Sequence, residues 1–439
     1  MPDPQVVRAQ TQAILASDAE VAVFPPGSEE TGEVQFLYRR RTCLTRDVHA
    51  DAVDSALRAV LPDGSDVSRE GLGREWRLPG LTRMWWSGDA DRDAGTVDVM
   101  DALDARLGPG VARLDHLLYV CPHSCAFIEP EEVPAGTARP MPAVQTGQDA
   151  RHPGCGHGEG ARVVIFDTGF LSSAVATNPW LHGVTGDEEP LPADGSITAD
   201  QGHGTFVAGC LRAAAPGAAA HVIRTATLDR GIGGAFESEL AGRLVTDLAG
   251  AAADIVVFSF AGNSRNELPM IAFEVAYETS LRYRKDLVIV APAGNDGVAQ
   301  PFWPGAFPWV LSVGALAENW RDRASYSNSG PTVDVYAPGS RIVNAYATGD
   351  YVCAWPPNVG QRRRFDGSAI WSGTSFSAPL VAGLLASRMS TTGQNSRRAL
   401  HSLLEIADGQ AVPGVGAVLL PGQGCCGSAC GCGCGHGHC

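Results

Sequence analysis

Lysine is nearly absent from the 439-residue chain, since Lys285 is the only one among 33 basic residues. An arginine bias of this kind is typical of a GC-rich, bacterial genome and carries no information about mechanism. Acidic residues number 48, so the formal net charge is −15. Nucleic acids and anionic lipids attract basic surfaces, so the charge argues against both as partners.

Long apolar segments are also missing. No run of about 20 apolar residues occurs, which argues against a transmembrane helix. Residues 1–30 have neither a basic cluster nor an apolar stretch before Pro25-Pro26, so they do not resemble a secretory signal peptide. We therefore expect a cytoplasmic protein, with non-classical export left open, and reduced thiols at the cysteines that lie outside the tail.

Length and composition bound the organisation of the chain. At about 150 residues per domain, the chain makes two or three domains. A hydrophobic content of 44% with 18% charged residues excludes wholesale disorder. We divide the chain into four zones: a small domain over residues 1–130, a Pro/Gly-rich linker over 131–160, a larger domain over 161–420 and a low-complexity tail over 421–439.

The first zone has the periodicities of a mixed domain. Residues 34–38 alternate like a strand, and residues 82–86 and 117–120 are further strand candidates. Apolar residues recur at helical spacing over 50–61 and 97–107. Helices packed on such strands predict a small α+β domain of two layers.

The third zone alternates short apolar runs with helical stretches. The runs are nearly continuous, which is typical of strands buried on both faces; they cover residues 162–166, 255–258, 287–290 and 309–313. The pattern predicts an α/β fold with a central, mostly parallel sheet and helices on both faces. Active sites of such sheets lie at the carboxyl ends of the strands, so the chemistry should follow these runs closely.

Four polar residues stand at strand ends or helix starts of this zone. Asp167 follows the first buried strand in Asp-Thr-Gly, and His203 opens a Gly/Ala-rich helix. Asn295 follows the strand at 287–290, where its amide could donate to an oxyanion. Ser375 precedes an apolar helix, so its hydroxyl and N–H lie near the positive end of the helix dipole. Each has a simpler interpretation as a turn or capping residue, but their conjunction on one sheet favours catalysis.

The Asp-Thr-Gly motif admits a second interpretation. Aspartic proteases begin their catalytic loop in the same way, and they need two carboxylates that share a proton. Only one such motif occurs in the chain, and the bulky Phe170 follows it. An aspartic protease would therefore require a homodimer.

Three motifs together resemble the signatures of the subtilisin-like serine peptidases. They are Asp167-Thr168-Gly169, His203-Gly204-Thr205-x-Val207-Ala208-Gly209 and Gly373-Thr374-Ser375-x-Ser377-Ala378-Pro379. The resemblance covers roughly residues 160–420. It implies that Ser375 is the nucleophile, His203 the general base and acid, and Asp167 the residue that orients the imidazole. It also implies that Asn295 and the Ser375 N–H form the oxyanion hole.

The same resemblance implies how a substrate is held. An extended peptide or protein substrate would pair with one wall of the cleft, and a second loop would bound the main specificity pocket. The residues with these roles are Ser259, Phe260, Ala261 and Gly262 for the first wall, and Ala293 and Gly294 for the second. We therefore expect a serine endopeptidase that needs no cofactor for its chemistry.

Two regions leave alternatives open. Residues 346–370 are longer than is typical of the family and contain Arg362-Arg363-Arg364. They form either a solvated loop or a contact for an acidic substrate or for the first domain. The resemblance also implies that residues 1–130 are a prodomain, which acts as an intramolecular inhibitor and is processed within the linker. A permanent regulatory domain is the alternative.

The tail suggests a separate hypothesis. Thiolates and imidazoles are good ligands for zinc or copper(I), and the tail intersperses them with glycine; they are Cys425, Cys426, Cys430, Cys432, Cys434, His436, His438 and Cys439. A flexible tail without a defined role and an oxidatively cross-linked tail are the alternatives. Structural calcium is common in the resembled family, but no ligand set can be named. A catalytically silent scaffold and a protein whose main activity is metal binding stay open for the whole chain.

Overall fold

The computed structural model describes residues 3–74, 76–87, 95–120, 129–134, 157–192, 194–225 and 233–421. The helices are α1 (Pro4–Ser17), α2 (Ser28–Thr31), α3 (Ala50–Val60), α4 (Thr96–Leu107), α5 (His203–Ala214), α6 (Glu237–Ala249), α7 (Ile271–Thr279), α8 (Thr374–Thr392) and α9 (Ser396–Gly409). The strands are β1 (Val21–Phe24), β2 (Phe36–Arg46), β3 (Val67–Gly71), β4 (Leu81–Trp86), β5 (Ala112–Tyr119), β6 (Arg162–Asp167), β7 (Val184–Gly186), β8 (Ser196–Ile197), β9 (Ala219–Arg224), β10 (Gly234–Phe236), β11 (Ile255–Phe258), β12 (Val288–Pro292), β13 (Val310–Leu316), β14 (Val335–Pro338), β15 (Ile342–Val352) and β16 (Arg362–Trp371).

A seven-stranded sheet forms the centre of the larger domain. Its order is β14-β13-β12-β11-β6-β9-β7, and every neighbouring pair is parallel. The strand residues are almost all buried because helices cover both faces. The predicted α/β class is confirmed, and the four predicted buried runs correspond to β6, β11, β12 and β13.

The two faces of the sheet contact different helices. Side chains alternate along a strand, so Val163 and Ile165 of β6 pack with α5 and α8 on one face. Val164 and Phe166 pack with α6 and α7 on the other face. Each face therefore buries its own apolar cluster, and the carboxyl end of β6 emerges between helices that are fixed from both sides.

A smaller antiparallel sheet occupies the first zone. Strands β1 to β5 pair in the order β5-β2-β4-β3, with β1 also paired to β2, and α3 and α4 pack on them. The predicted helices at 50–61 and 97–107 are α3 and α4, and the predicted strands belong to β2, β4 and β5. The helix α1 and the strands β1 and β3 were not predicted.

The two domains share this smaller sheet. Strand β10 of the larger domain pairs antiparallel with β5 and completes the order β10-β5-β2-β4-β3. Strand β5 is the last element before the catalytic zone begins. Its position therefore connects the N-terminal domain directly to the edge of the larger domain.

Residues 346–370 belong to a long hairpin rather than to an irregular loop. Strands β15 and β16 pair antiparallel, and the short strand β8 adds to β15 in parallel. Only Ser372 and Gly373 separate the end of β16 from the start of α8. None of the described helices is long and apolar enough to cross a membrane. The tail residues proposed as metal ligands lie outside the described residues.

Candidate active site

Asp167 and His203 are brought together by the first strand and helix of the larger domain. Asp167 is the last residue of β6, and His203 is the first residue of α5. The Nδ1 atom of His203 lies 2.8 Å from Oδ1 of Asp167, and both side chains are fully buried. Because Asp167 faces Nδ1, the Nε2 atom is left to serve as the proton acceptor.

Gly204 makes this approach possible. A Cβ atom at this position would lie 2.2 Å from the carbonyl oxygen of Gly169 and 3.2 Å from the Asp167 side chain. No larger residue fits such a contact. The Gly-rich context of His203, visible in the sequence, therefore has a packing cause.

Ser375 is the second residue of α8, where backbone N–H groups have no partner within the helix. Its side chain is buried, and Oγ donates to the carbonyl oxygen of Val120 at 3.2 Å. The Nε2 atom of His203 has no hydrogen-bond partner among the described residues. The serine therefore contacts a peptide carbonyl of the N-terminal domain in place of the imidazole.

Asn295 lies beside the start of the same helix. Its Oδ1 atom accepts hydrogen bonds from both the N–H and the hydroxyl of Thr374, each at 2.9 Å. These two bonds fix the orientation of the amide and leave Nδ2 as a donor that they do not use. Asn295 thus bonds to Thr374, the residue directly before Ser375, and its role in an oxyanion hole stays a prediction.

Part of the predicted cleft wall contacts an extended chain. Ala261 and Tyr119 exchange two backbone hydrogen bonds of 3.2 Å in an antiparallel bridge. Gly262 forms a similar bridge with Trp303. Ser259 and Phe260 are buried on the same segment. In residues 259–262, Ala261 therefore pairs with the end of β5, and substrate binding by this wall stays a prediction.

The second predicted wall is shaped by Asn328. Its Nδ2 atom donates to the carbonyl oxygen of Ala293 at 3.0 Å, and its Oδ1 atom accepts from the N–H of Asp296 at 2.9 Å. Gly294 has a φ of +102°, and a Cβ there would lie 2.4 Å from Nδ2 of Asn328. The turn beside Asn295 therefore depends on glycine and on a residue whose role the sequence analysis did not identify.

The sequence analysis also did not identify the opposite wall of the cleft. Strand β10 pairs with Leu117 to Tyr119, and the N–H of Val120 donates to the carbonyl oxygen of Gly233 at 2.8 Å. The end of β5 thus lies between β10 and the wall at Ala261. Its backbone bonds to both sides, as a bound peptide would.

Buried acidic groups surround the histidine. Burial lowers the pKa of His203, but the charge and hydrogen bond of Asp167, with Asp200 and Glu189 nearby, outweigh burial and raise the pKa above 6.5. Burial raises the pKa of Glu189 to about 7, against hydrogen bonds from the Gly202 N–H and the Thr168 hydroxyl. Burial likewise raises the pKa of Asp200 to about 6. These acidic groups therefore stabilise the imidazolium that forms when His203 accepts a proton.

The N-terminal domain also caps a helix of the larger domain. Helix α6 has no capping side chain of its own. Asp115, which is fully buried, accepts from the N–H of Ser238 at 3.1 Å and from its hydroxyl at 2.9 Å. Arg39 lies 3.4 Å from the same carboxylate and stacks over the ring of Phe236. The Asp115 carboxylate thus bonds across the domain interface to Ser238, and Arg39 pairs across it with Glu239.

The arginine-rich hairpin contacts the chain that follows the cleft. Arg363 donates to the carbonyl oxygen of Pro130 at 2.6 Å, and the N–H of Arg364 donates to Glu132 at 2.6 Å. Of the two interpretations of residues 346–370, the contact is the one that fits these bonds. Residues 131–134, assigned to a linker without structure, are held by this hairpin.

The described residues contain no group of three or more His, Cys, Asp or Glu side chains arranged to hold a metal ion. The predicted chemistry does not call for one, because proton transfer and oxyanion binding are assigned to protein groups. The fold and this arrangement define a serine-type hydrolase built on a parallel α/β sheet.

The chain belongs to the subtilase family of serine endopeptidases: the family model described as Subtilase family matches residues 158–411. Thermitase from Thermoactinomyces vulgaris is 30% identical over 264 residues, which are 57% of this chain and 84% of thermitase. Subtilisin-like protease 1 from Arthroderma otae is 30% identical over 278 residues, which are 61% of this chain. The match spans about half of that relative's length, 49%. The resemblance inferred from the motifs is confirmed.

A solved structure shows the same fold over most of the chain. Fervidolysin from Fervidobacterium pennivorans, a keratinolytic enzyme related to subtilisin, aligns with a TM-score of 0.56 and 19% identity. The alignment covers 88% of this chain and 61% of fervidolysin. The bacterial origin suggested by the arginine bias stays a prediction, since fungal relatives match as well.

Proposed function

We propose that this chain hydrolyses peptide bonds of extended polypeptides through Asp167, His203 and Ser375, with an acyl-enzyme intermediate. The observation that carries the proposal is the contact of Ser375 Oγ with the Val120 carbonyl, 3.2 Å away, in a strand that pairs with the cleft wall. A substrate strand in the same position would present its own carbonyl to the same hydroxyl.

The proposed steps use only groups of this chain and water. Oγ of Ser375 attacks the carbonyl carbon while Nε2 of His203 takes the hydroxyl proton. Asn295 Nδ2 and the Ser375 N–H stabilise the oxyanion. The C–N bond then breaks as His203 returns the proton to the leaving amine. Water repeats the sequence on the ester and releases the carboxylate product.

We propose further that the N-terminal domain keeps the intact chain latent. Support comes from the position of Tyr119 and Val120, whose backbone bonds occupy both walls beside Ser375. A peptide substrate cannot pair with Ala261 and Gly233 while these bonds exist. Cleavage within residues 135–156 would then permit release of the domain.

Fluorophosphonate labelling read by intact mass tests the reaction. The matched set is wild type, Ser375→Ala and Ser377→Ala. The last is the control, because Ser377 Oγ donates to the carbonyl oxygen of Ala337 on β14 and not to Val120. After trypsin nicking of the linker at Arg151, which His152 follows, one adduct is expected on wild type and on Ser377→Ala. No adduct on nicked wild type, or an adduct on Ser375→Ala, would contradict the mechanism.

The same spectra test latency. The intact chain is expected to label more slowly than the nicked chain. Full labelling of a chain whose N-terminus is intact would overturn the processing proposal and favour a permanent regulatory domain.

Metal binding by the tail is a separate proposal, based on its cysteines and histidines. Equilibrium dialysis with zinc compares the full chain with a chain that ends at residue 420. An equal number of zinc ions bound per chain in the two proteins would overturn the metal-binding proposal.

A further inference from the structure

Four residues beyond the cleft, Glu129-Pro130-Glu131-Glu132, form what we call the acidic segment. Val120 lies at the nucleophile, and Glu129 follows it by nine residues (129 − 120) on the β15–β16 hairpin. The described chain is therefore held on both sides of Ser375. The second of these contacts is not needed for the chemistry proposed above.

The acidic segment adds a single backbone bridge to the hairpin sheet. Glu131 and Ile370 exchange two backbone hydrogen bonds, of 2.8 and 2.9 Å, in an antiparallel bridge. This bridge satisfies the outer edge of β16, the edge that β15 does not cover. Addition of a peptide strand to an exposed sheet edge is a general mode of peptide recognition.

Glu129 enters a preformed pocket for a carboxylate. Its side chain is 5% exposed, and Oε1 accepts from the hydroxyl of Tyr351 at 2.8 Å and from the N–H groups of Ala354 and Trp355 at 2.6 and 3.3 Å. A buried carboxylate is costly without such donors. The donors therefore require a side chain with an acceptor oxygen, because an apolar one would leave them unsatisfied. They favour a carboxylate, because an ionised acceptor forms stronger hydrogen bonds than an amide.

Glu131 meets a positive charge, and Glu132 meets a backbone N–H. Arg341 Nη1 lies 2.8 Å from Glu131, and the N–H of Arg364 donates to Glu132. Arg363 bonds to the backbone of Pro130. The segment is thus recognised by strand pairing, by a buried carboxylate pocket and by surface charge at the same time.

We propose that this face of the hairpin is a binding site for acidic, extended peptides, filled in the intact chain by its own acidic segment. This site rests on the peptidase activity proposed above, and it defines a class of substrate. The class is polypeptides with an acidic segment that begins about nine residues after the residue whose carbonyl contacts Ser375. Such a substrate would occupy the cleft and the hairpin together. Ile370 precedes Ser375 by five residues (375 − 370), so the end of β16 and the start of α8 connect the two contacts.

Peptide binding tests the site without catalysis. The protein is the full chain with Ser375→Ala, with or without Glu129→Ala, Glu131→Ala and Glu132→Ala to vacate the hairpin. The probe is a fluorescent peptide with the sequence of residues 127–134, measured by anisotropy. We expect binding to the vacated chain about tenfold or more tighter than to the chain whose segment is intact, since the latter fills its own site.

A peptide with alanine at the three glutamates is the ligand control. It is expected to bind the vacated chain about tenfold or more weakly, because three charge-assisted contacts are lost. Equal binding of the two peptides would overturn the proposal, as would equal binding of the acidic peptide to the vacated and intact chains.

Variants of the vacated hairpin locate the site. Tyr351→Phe, Arg341→Gln and Arg363→Gln are each expected to weaken binding about threefold to tenfold. Arg362→Gln is the matched control, because Arg362 lies on the same strand and makes no hydrogen bond or ion pair with the described part of the acidic segment. Weakening by Arg362→Gln equal to that by Arg363→Gln would indicate charge alone and overturn the proposed geometry.

Turnover separates this inference from the proposed function. On the nicked wild-type chain, a substrate with the acidic segment is expected to have a lower KM than its alanine counterpart, at similar kcat. Peptide binding without any turnover would support the hairpin site and contradict the peptidase proposal. Turnover with equal KM for both substrates would contradict the substrate class.

Discussion

Two of the contacts between the N-terminal region and the catalytic domain differ in the atoms that they use. At the cleft, the end of β5 and Val120 are held by backbone hydrogen bonds to β10, Gly233 and Ala261. At the hairpin, the acidic segment adds three carboxylates and their donors to a single backbone bridge. The cleft contact tolerates many sequences, whereas the hairpin contact depends on glutamate.

This difference separates two tasks. A peptidase cleft must accept varied side chains, so backbone pairing supplies affinity without strong sequence preference. Selectivity can then be assigned to a second contact, outside the cleft, where charge and a buried pocket operate. Four predictions, from the largest expected effect to the smallest, test the comparison.

Asp115→Ala should be the most damaging change at the cleft side. It removes the cap of α6, leaves the N–H and the hydroxyl of Ser238 without their acceptor, and takes away one of the carboxylates that Arg39 contacts. The free energy of unfolding should therefore fall by about 3–5 kcal/mol. Urea unfolding followed by circular dichroism measures it. The Asp115→Asn variant keeps an acceptor for the Ser238 N–H, so its free energy of unfolding should fall by less than that of Asp115→Ala. A loss below about 1 kcal/mol for alanine would show that the capping contact is unimportant.

Glu189 is a buried carboxylate that, unlike Asp115, has no arginine beside it among the described residues. Its pKa is raised from 4.5 to about 7, so the folded chain keeps a proton that the unfolded chain has released. Stability from this group is complete below pH 4.5 and is lost as the pH rises through about 7.

Between pH 4.5 and about 7, the free energy of unfolding of wild type should fall by about 3 kcal/mol because of Glu189. The Glu189→Gln variant should lack this decrease. Denaturant unfolding of both proteins at several pH values measures the difference. Parallel stability profiles for wild type and variant across that window would contradict the prediction.

Gly233→Ala should weaken the cleft contact alone. The new Cβ would lie 2.4 Å from Cγ2 of Val120, and overpacking of this kind costs about 1–3 kcal/mol. Labelling of the intact chain by fluorophosphonate should speed up about tenfold. Val120→Ala in the same chain should reverse the effect, and Gly250→Ala, whose Cβ would meet nothing within 4 Å, should have none. Unchanged labelling of Gly233→Ala would argue against latency by this strand.

Arg341→Gln should have the smallest effect on stability. Arg341 is 38% exposed and pairs with Glu131 and Glu318, which are also partly exposed, so its removal should cost less than about 1 kcal/mol. Hydrogen exchange should nevertheless accelerate over residues 129–134 and stay unchanged over 112–120. Equal acceleration in both segments would mean that the two contacts are a single unit.

The positions of the candidate catalytic residues were predictable because their signals are local. Asp167, His203, Asn295 and Ser375 each stand directly at a strand end or helix start, and a parallel sheet brings such positions to one edge. The parallel fold itself followed from the continuous apolar runs.

The contacts between the two halves were not predictable in the same way. Asp115 and Ser238 are separated by 123 residues, and neither has a local pattern that identifies the other. The three arginines of the hairpin were noticed, but their partners lie more than 200 residues earlier in the chain. Strand β10 has only three residues, too few for a periodic signal.

The outer edge of β16 has a consequence for the protein after the acidic segment leaves it. The N–H and carbonyl of Ile370 would then have no partner, and open strand edges invite pairing with other chains and aggregation. Arg362, Arg363 and Arg364 lie on the same strand, and their charge repels a second copy of that strand. The arginines that attract an acidic peptide would thus also protect the solubility of the uncovered protein.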